Sequence, residues 1–314
     1  MLDDLHQAVI DAQRAGDLHT EAAAHRRLGE AYQDLAQSPI AIDHYHAALA
    51  LYRGLGIRSE EAAVLHMLGR LYNDLGQMTQ ALDSYQQALT LRRAAEDRRG
   101  ESATLNNIAV VYSAMGQKGE ALKYFLKSLD IDTALHDRLG EGITLNNIGE
   151  VYRAMGRYRD AITYYRQALN IRRELNDRRG EAVTLNNLGE LNLEQGLLDA
   201  ALMHFQQAVA IRREVRDRRG EAITLDNLGR VYRAMNQLVD ALPHARQALS
   251  IVREIDDRWL EVTMLLHVGT LLQTLNRSAE ARPYLDQAVA LAGTLQHPAL
   301  DECRAARDNL TRDK

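Results

Sequence analysis

Apolar and small residues recur along this chain at helical spacing, in two bursts per forty residues. The pattern repeats seven times between Glu21 and Leu300 without insertion or deletion. In one unit the bursts are Leu105, Ile108, Ala109 and Tyr112, then Ala121, Leu122, Phe125, Ser128 and Leu129. Segments 104–129, 144–169, 184–209 and 224–249 superpose letter by letter. Each unit therefore predicts a pair of amphipathic helices, A and B. A pair of this size cannot bury its apolar face alone, so neighbours must stack into an all-α array in which each unit contacts mostly the next.

Polar positions mark the predicted helix ends. Asp97, Asp137, Asp177, Asp217 and Asp257 stand where helix A needs an N-cap, with Glu101, Glu141, Glu181, Glu221 and Glu261 in its first turn, where the helix dipole favours acid. Gly76, Gly116, Gly156 and Gly196 supply the left-handed residue after helix A, and Asn236 and Asn276 are the next best choice. Helix B carries arginines near its end, such as Arg172, Arg173, Arg212 and Arg213. Pro39, Pro243 and Pro283 are expected near the start of a helix B, where a missing N–H costs little.

These residues carry a resemblance. Leu68-Gly69-Tyr72-Ala81-Tyr85-Ala88 and Ile148-Gly149-Tyr152-Ala161-Tyr165-Ala168 are similar to the signature of the tetratricopeptide repeat. The departures are Ala109 for Gly, Asn192 and Leu272 for Tyr, and Ala245 and Leu285 for the helix B aromatic. The forty-residue period, the DRRGEA-like junction and the LNNLG-like helix A resemble kinesin light chain, Pins-type spindle adaptors, and the arrays of bacterial transcriptional activators and signal-transduction ATPases. The resemblance implies a right-handed α-α superhelix of seven helix pairs with helix A lining its concave side. It also implies capture of a protein or peptide ligand rather than catalysis.

Residues 1–17 read as a half-repeat helix, 21–300 as the seven units, and 299–314 as a capping helix with a polar outer face. The half-repeat start leaves a second reading open, a sensor module with an attached effector domain in a larger regulator. One cysteine, Cys303, argues against a disulfide framework and a Cys-based zinc site. A net charge of −5 with mixed signs argues against a nucleic-acid partner. No apolar run reaches membrane-spanning length and the N-terminus lacks a basic leader, so a cytosolic protein is expected. No phosphate-cradling loop, HExxH or nucleophile elbow occurs, and no enzyme activity or cofactor is expected.

The candidate chemistry lies on helix A. With Leu145, Ile148, Gly149 and Tyr152 packed, Asn146, Asn147, Glu150 and Arg153 lie on another face. In the family, the Asn before the Leu-Gly pair often holds a bound peptide's backbone; by resemblance that role falls to Asn107, Asn147, Asn187 and Asn227. Asn106, Asn146, Asn186 and Asp226 stand beside them, with Glu190, Arg230 and Arg233 on the same face. Asn costs roughly half a kcal/mol against Ala in a helix, so the column needs a purpose. Either it meets a peptide group, for which an amide offers donor and acceptor, or it hydrogen-bonds between adjacent repeats. A helices about 10 Å apart would each meet about three residues of an extended segment.

Arg26, Arg27, His66, Met67 and Arg70 suggest a basic patch on the N-terminal side of this column. The junction arginines Arg98, Arg99, Arg178, Arg179, Arg218 and Arg219 sit beside Asp and Glu, which favours ion pairs over phosphate binding. His44 and His46 should point to different sides and read as surface residues, and Trp259 reads as packing.

Overall fold

The protein is described by a computed structural model covering residues 2–310, and all of its regular structure there is helical. In chain order the helices are α1 (Leu2–Ala15), α2 (Leu18–Asp34), α3 (Ser38–Leu55), α4 (Arg58–Asp74), α5 (Met78–Ala94), α6 (Arg98–Ala114), α7 (Lys118–Ala134), α8 (Arg138–Ala154), α9 (Tyr158–Glu174), α10 (Arg178–Glu194), α11 (Leu198–Glu214), α12 (Arg218–Ala234), α13 (Leu238–Glu254), α14 (Arg258–Thr274), α15 (Ser278–Leu295) and α16 (Leu300–Asn309). Even-numbered α2 to α14 are A helices and odd-numbered α3 to α15 are B helices. The expected capping helix ends at Asn309 with Leu310 as its cap, and residues 311–314 of that segment lie outside the described residues. The chain forms two compact units, one up to Tyr164 and one from Tyr165 onward.

Helix starts follow the expected chemistry. The Asp97, Asp137, Asp177 and Asp217 side chains accept from the backbone N–H of Gly100, Gly140, Gly180 and Gly220, and Asp257 accepts from Leu260. Gly76, Gly116, Gly156 and Gly196 end their A helices at φ of 72° to 74°, while Asn236 and Asn276 adopt 59° and 58°. Helix α3 ends on left-handed Gly56, but the next five B helices differ, because Glu96, His136, Asn176, Arg216 and Asp256 take the same left-handed conformation at φ 53° to 55° without glycine. Each such side chain crowds the following carbonyl. Pro39 is at a helix start as expected, but Pro243 and Pro283 lie inside α13 and α15. Pro243 leaves the Val239 carbonyl without its helical donor, and Val239 is 75% exposed, so water can take that place.

Within a pair, the B-helix side chain lies on the glycine of helix A. A Cβ added to Gly69 would meet the Tyr85 ring at 2.7 Å, one on Gly189 the Phe205 ring at 2.6 Å, and one on Gly269 the Leu285 side chain at 2.5 Å. At Gly229 the nearest atom would be 3.5 Å away, because Ala245 stands where the ring would be. A cavity of about 400 Å³ lies there, with Leu193 and Leu271 in its wall.

The junction arginines clamp the buried glutamates. Glu101 bonds Arg98 at 2.5 Å and Arg93, from the end of the preceding B helix, at 2.8 Å. The same fork joins Glu181 to Arg178 and Arg173, Glu221 to Arg218 and Arg213, and Glu261 to Arg258 and Arg253. Arg99 and Arg219 reach the next cap, Asp137 at 3.2 Å and Asp257 at 2.9 Å. These acids take the charge that a phosphate would otherwise need.

Candidate functional site

Successive A helices touch one another, α4 with α6 and α6 with α8 in the first unit and α10 with α12 in the second. Helices α4, α6 and α8 thus form one layer in the first unit, and α10 and α12 pair in the second. Little of that layer is open. On α8, after its first turn, Ile143 is exposed, Asn147 and Glu150 are half-buried, and Ala154 is exposed, at spacings of four, three and four. Ala103, Asn107, Val110 and Ala114 form the same stripe on α6. In the second unit the stripe begins with Val183 and Asn187 on α10 and with Ile223 on α12. Ile143 is 42% exposed and Val183 39%. These apolar residues were absent from the sequence expectation; their signal was a β-branched residue four positions before Asn147, Asn187 and Asn227, where α6 has Ala103 before Asn107.

The two Asn columns part company. The inner column does not share the exposed face expected for it, for Asn106, Asn146, Asn186 and Asp226 are all buried. Asn106 donates to Thr144 Oγ1 at 2.9 Å and accepts from Asn147 Nδ2 at 3.2 Å. Asn186 accepts from Thr224 Oγ1 at 3.1 Å and from Asn227 Nδ2 at 3.2 Å. Asp226 Oδ1 lies 2.7 Å from His267 Nδ1. Asn106 and Asn186 are polar rivets reaching 38 and 41 residues ahead into the next A helix, and Asp226 reaches 41 residues ahead. A buried amide is stable only when paired, and the next repeat supplies the partners.

His66 holds the same position with a ring, its Nε2 lying 3.0 Å from Asn107 Nδ2. Burial, with Arg92 and Arg70 nearby, pushes this imidazole down to about 4. It is neutral near pH 7 and adds no charge to the expected basic patch. Arg26 is likewise committed, to Glu30 at 2.8 Å.

The outer column retains half its capacity in the first unit. Asn107 and Asn147 use Nδ2 for the rivet, and among the described residues neither Oδ1 has a partner. Asn187 is half-buried and already engaged. Asn227 departs from expectation, since it is 3% exposed, donates to Asn186 and Glu190, and accepts from Arg230 at 2.9 Å. Glu150 pairs with Arg153 at 2.5 Å, and Glu190 accepts from Asn186 at 2.9 Å. Arg233 is exposed and has no partner among the described residues.

The histidine reading also changes. His46 is exposed and its Nε2 lies 3.0 Å from the Tyr72 hydroxyl. His44 is half-buried rather than on the surface, stacked on Tyr32 at 5.4 Å with its Nδ1 2.9 Å from His25 Nδ1. Burial lowers the pKa of both rings. Trp259 is 50% exposed and leans on the buried His297 at 4.3 Å.

The tetratricopeptide repeat family model matches residues 19–94, 60–134, 100–174, 180–254 and 221–294. The chain belongs to the tetratricopeptide repeat family. A comparison with curated protein sequences gives no match. Among solved structures, it is similar to the apo form of the quorum sensor NprR from B. thuringiensis, at 16% identity and TM-score 0.73, covering 92% of this chain and 82% of that one. The Rap conjugation gene regulator of plasmid pLS20, in complex with the Phr* peptide, matches at 16% identity and TM-score 0.62, covering 99% and 95%. A signal transduction ATPase with a tetratricopeptide repeat sensor, from Pyrococcus horikoshii, matches at 18% and 0.66, covering 96% of this chain and 48% of that one. At these identities the likeness is one of fold. No helix among the described residues is long and apolar enough to cross a membrane.

Proposed function

We propose that this tetratricopeptide repeat chain is an adaptor that captures an extended segment of a partner protein along the A-helix layer. The carrying observation is the open stripe of α6 and α8, where exposed Ile143 lies one turn from Asn147 and both outer amides keep an unclaimed carbonyl oxygen. An extended backbone brings N–H donors to such acceptors and apolar side chains to the apolar positions. The regulatory setting of the Rap and NprR proteins, and the sensor role of the array in the P. horikoshii ATPase, favour a second reading in which the captured segment controls an attached effector.

Panning a phage-displayed library of random peptides on the immobilised chain tests the proposal. Selected peptides should bind a protein carrying both Asn107→Ala and Asn147→Ala about thirtyfold more weakly, for two lost bonds of about 1 kcal/mol each. Ile143→Ser, which breaks no rivet, should weaken them several-fold. Failure to select any peptide, or equal binding by all three proteins at equal folded fraction, would refute it.

A further inference from the structure

A column at the end of the B helices carries Arg92, Arg172 and Arg212, and its member in α7 is Asp132. Arg92 fills its own site, donating to the Gly100 carbonyl at 2.6 Å and to Thr104 Oγ1 at 2.5 Å. Arg172 donates to the Gly180 carbonyl in the same way. At Asp132 the polarity is reversed. Its carboxylate accepts from Ser102 Oγ and, at 3.1 Å, from Thr144 Oγ1. Thr144 in turn accepts from Asn106, which accepts from Asn147. This run of donors starts at the open stripe and ends on the acid, as an ionised carboxylate requires.

Asp132 is only 4% exposed, and among the described residues no cation lies within ion-pair distance of it. A buried charge without a counter-charge is costly. The shorter acid also leaves space where its neighbours hold a guanidinium, a cavity of about 230 Å³ that reaches Ala103, Asn107 and Ile143 at the open stripe. Arg99 stands at its edge, but its guanidinium pairs with Asp137 and its side chain is 77% exposed. Burial pushes the Asp132 carboxyl up while the Ser102 and Thr144 hydroxyls oppose it, so a nearby positive charge would find a receptive acid.

We infer that the cavity at Asp132 is a specificity pocket for a cationic side chain, an arginine or lysine of the captured segment, whose charge replaces the arginine missing from this column. The pocket deepens the adaptor reading and rests on it. An incoming guanidinium meets the carboxylate at the bottom and the Ser128 hydroxyl at the wall, and its stem passes between Asn107 and Ile143. The cavity is much larger than the roughly 30 Å³ share of one water, which suits a planar, many-donor group better than a bare ion.

The test is an NMR titration with N-acetyl-arginine amide and its uncharged analogue N-acetyl-citrulline amide, following the Ser102 and Thr144 amides and the Asp132 carboxyl carbon. Saturable shifts are expected at all three with the arginine probe and not with citrulline. Asp132→Asn should weaken arginine binding at least about tenfold, the loss of one charge-assisted contact. Asp132→Arg, which restores the column residue, should abolish it; if that variant misfolds, Asp132→Asn alone carries the decision. Equal shifts with both probes, no shifts, or arginine binding unchanged by Asp132→Asn would overturn the pocket. Library peptides that depend on Asn107 and Asn147, yet bind Asp132→Asn as tightly as the parent chain, would also overturn it while leaving the adaptor reading intact. Arginine binding at Asp132 with no selectable peptide would do the reverse.

Discussion

Replacing Asn186 with Ala tests whether the inner column holds adjacent repeats together. Asn186 is 5% exposed, and its Oδ1 receives the Thr224 hydroxyl at 3.1 Å and the Asn227 amide at 3.2 Å from the next A helix. Two net hydrogen bonds are worth about 1 kcal/mol each, and leaving the fully buried Thr224 hydroxyl short of a partner costs about 1 more. Ala returns roughly 0.6 kcal/mol through its better helix propensity. The expected loss is about 2 kcal/mol, located between α10 and α12 rather than spread along the chain. Native-state hydrogen exchange is the appropriate measurement, because arrays of this kind open in parts and a single midpoint hides where.

A double-mutant cycle with Thr224→Val isolates one rivet bond, and a coupling of about 1 kcal/mol is expected. If the two changes add without coupling, or if Asn186→Ala exchanges like the parent chain at the amides of α10 and α12, the rivet contributes nothing. The Asn residues would then need another explanation for their helix cost.

Other positions give separate outcomes. His66→Asn should remove an acid sensitivity: the parent imidazole is held neutral down to about 4 while an unfolded one protonates near 6.5. The parent therefore has this stability in full above pH 6.5 and loses it between 6.5 and 4, by about 3 kcal/mol at about 1.4 per pH unit; urea titrations of both proteins across that window should differ by this slope. Gly189→Ala should destabilise by about 1–3 kcal/mol through overpacking against Phe205, whereas Gly229→Ala has room and should gain about 1 kcal/mol of helix propensity, both visible in thermal melts. Ala245→Phe should raise the melting temperature by filling the cavity above Gly229, and a lowered one would show that the space is not shaped for a ring. Arg216→Gly, at φ 55°, should stabilise by about 0.5–1 kcal/mol in chemical denaturation, since glycine bears that conformation without strain.

The fold was legible because each of its determinants is local and recurs every forty residues. Asp97 and its counterparts cap by a bond three residues long, and the turn glycines need only their own φ, so one unit read correctly gave all of them. The left-handed residues after the B helices were not legible, because Glu96 and Arg216 carry no propensity for that conformation and take it where two helices force it. The site was half legible for a related reason. Helical spacing places Asn106 and Asn107 a hundred degrees apart on helix A, but which of them is covered depends on the next A helix, 38 to 41 residues on, and an intrahelical pattern does not contain that contact. Thr144 and Thr224 were missed as rivet partners because a threonine within a helix is as often a surface residue.

The breaks in the columns were the more informative signal. Ala245 for an aromatic leaves a cavity, and Asp132 for an arginine reverses a buried charge. Nearly identical repeats give the mutual packing that any repeat needs, so they say little about what this one array selects. A partner can distinguish one part of the layer from another only where neighbouring units differ. On the proposed adaptor reading, selectivity concentrates at breaks such as Asp132, with the Asn column supplying grip that is indifferent to side chain.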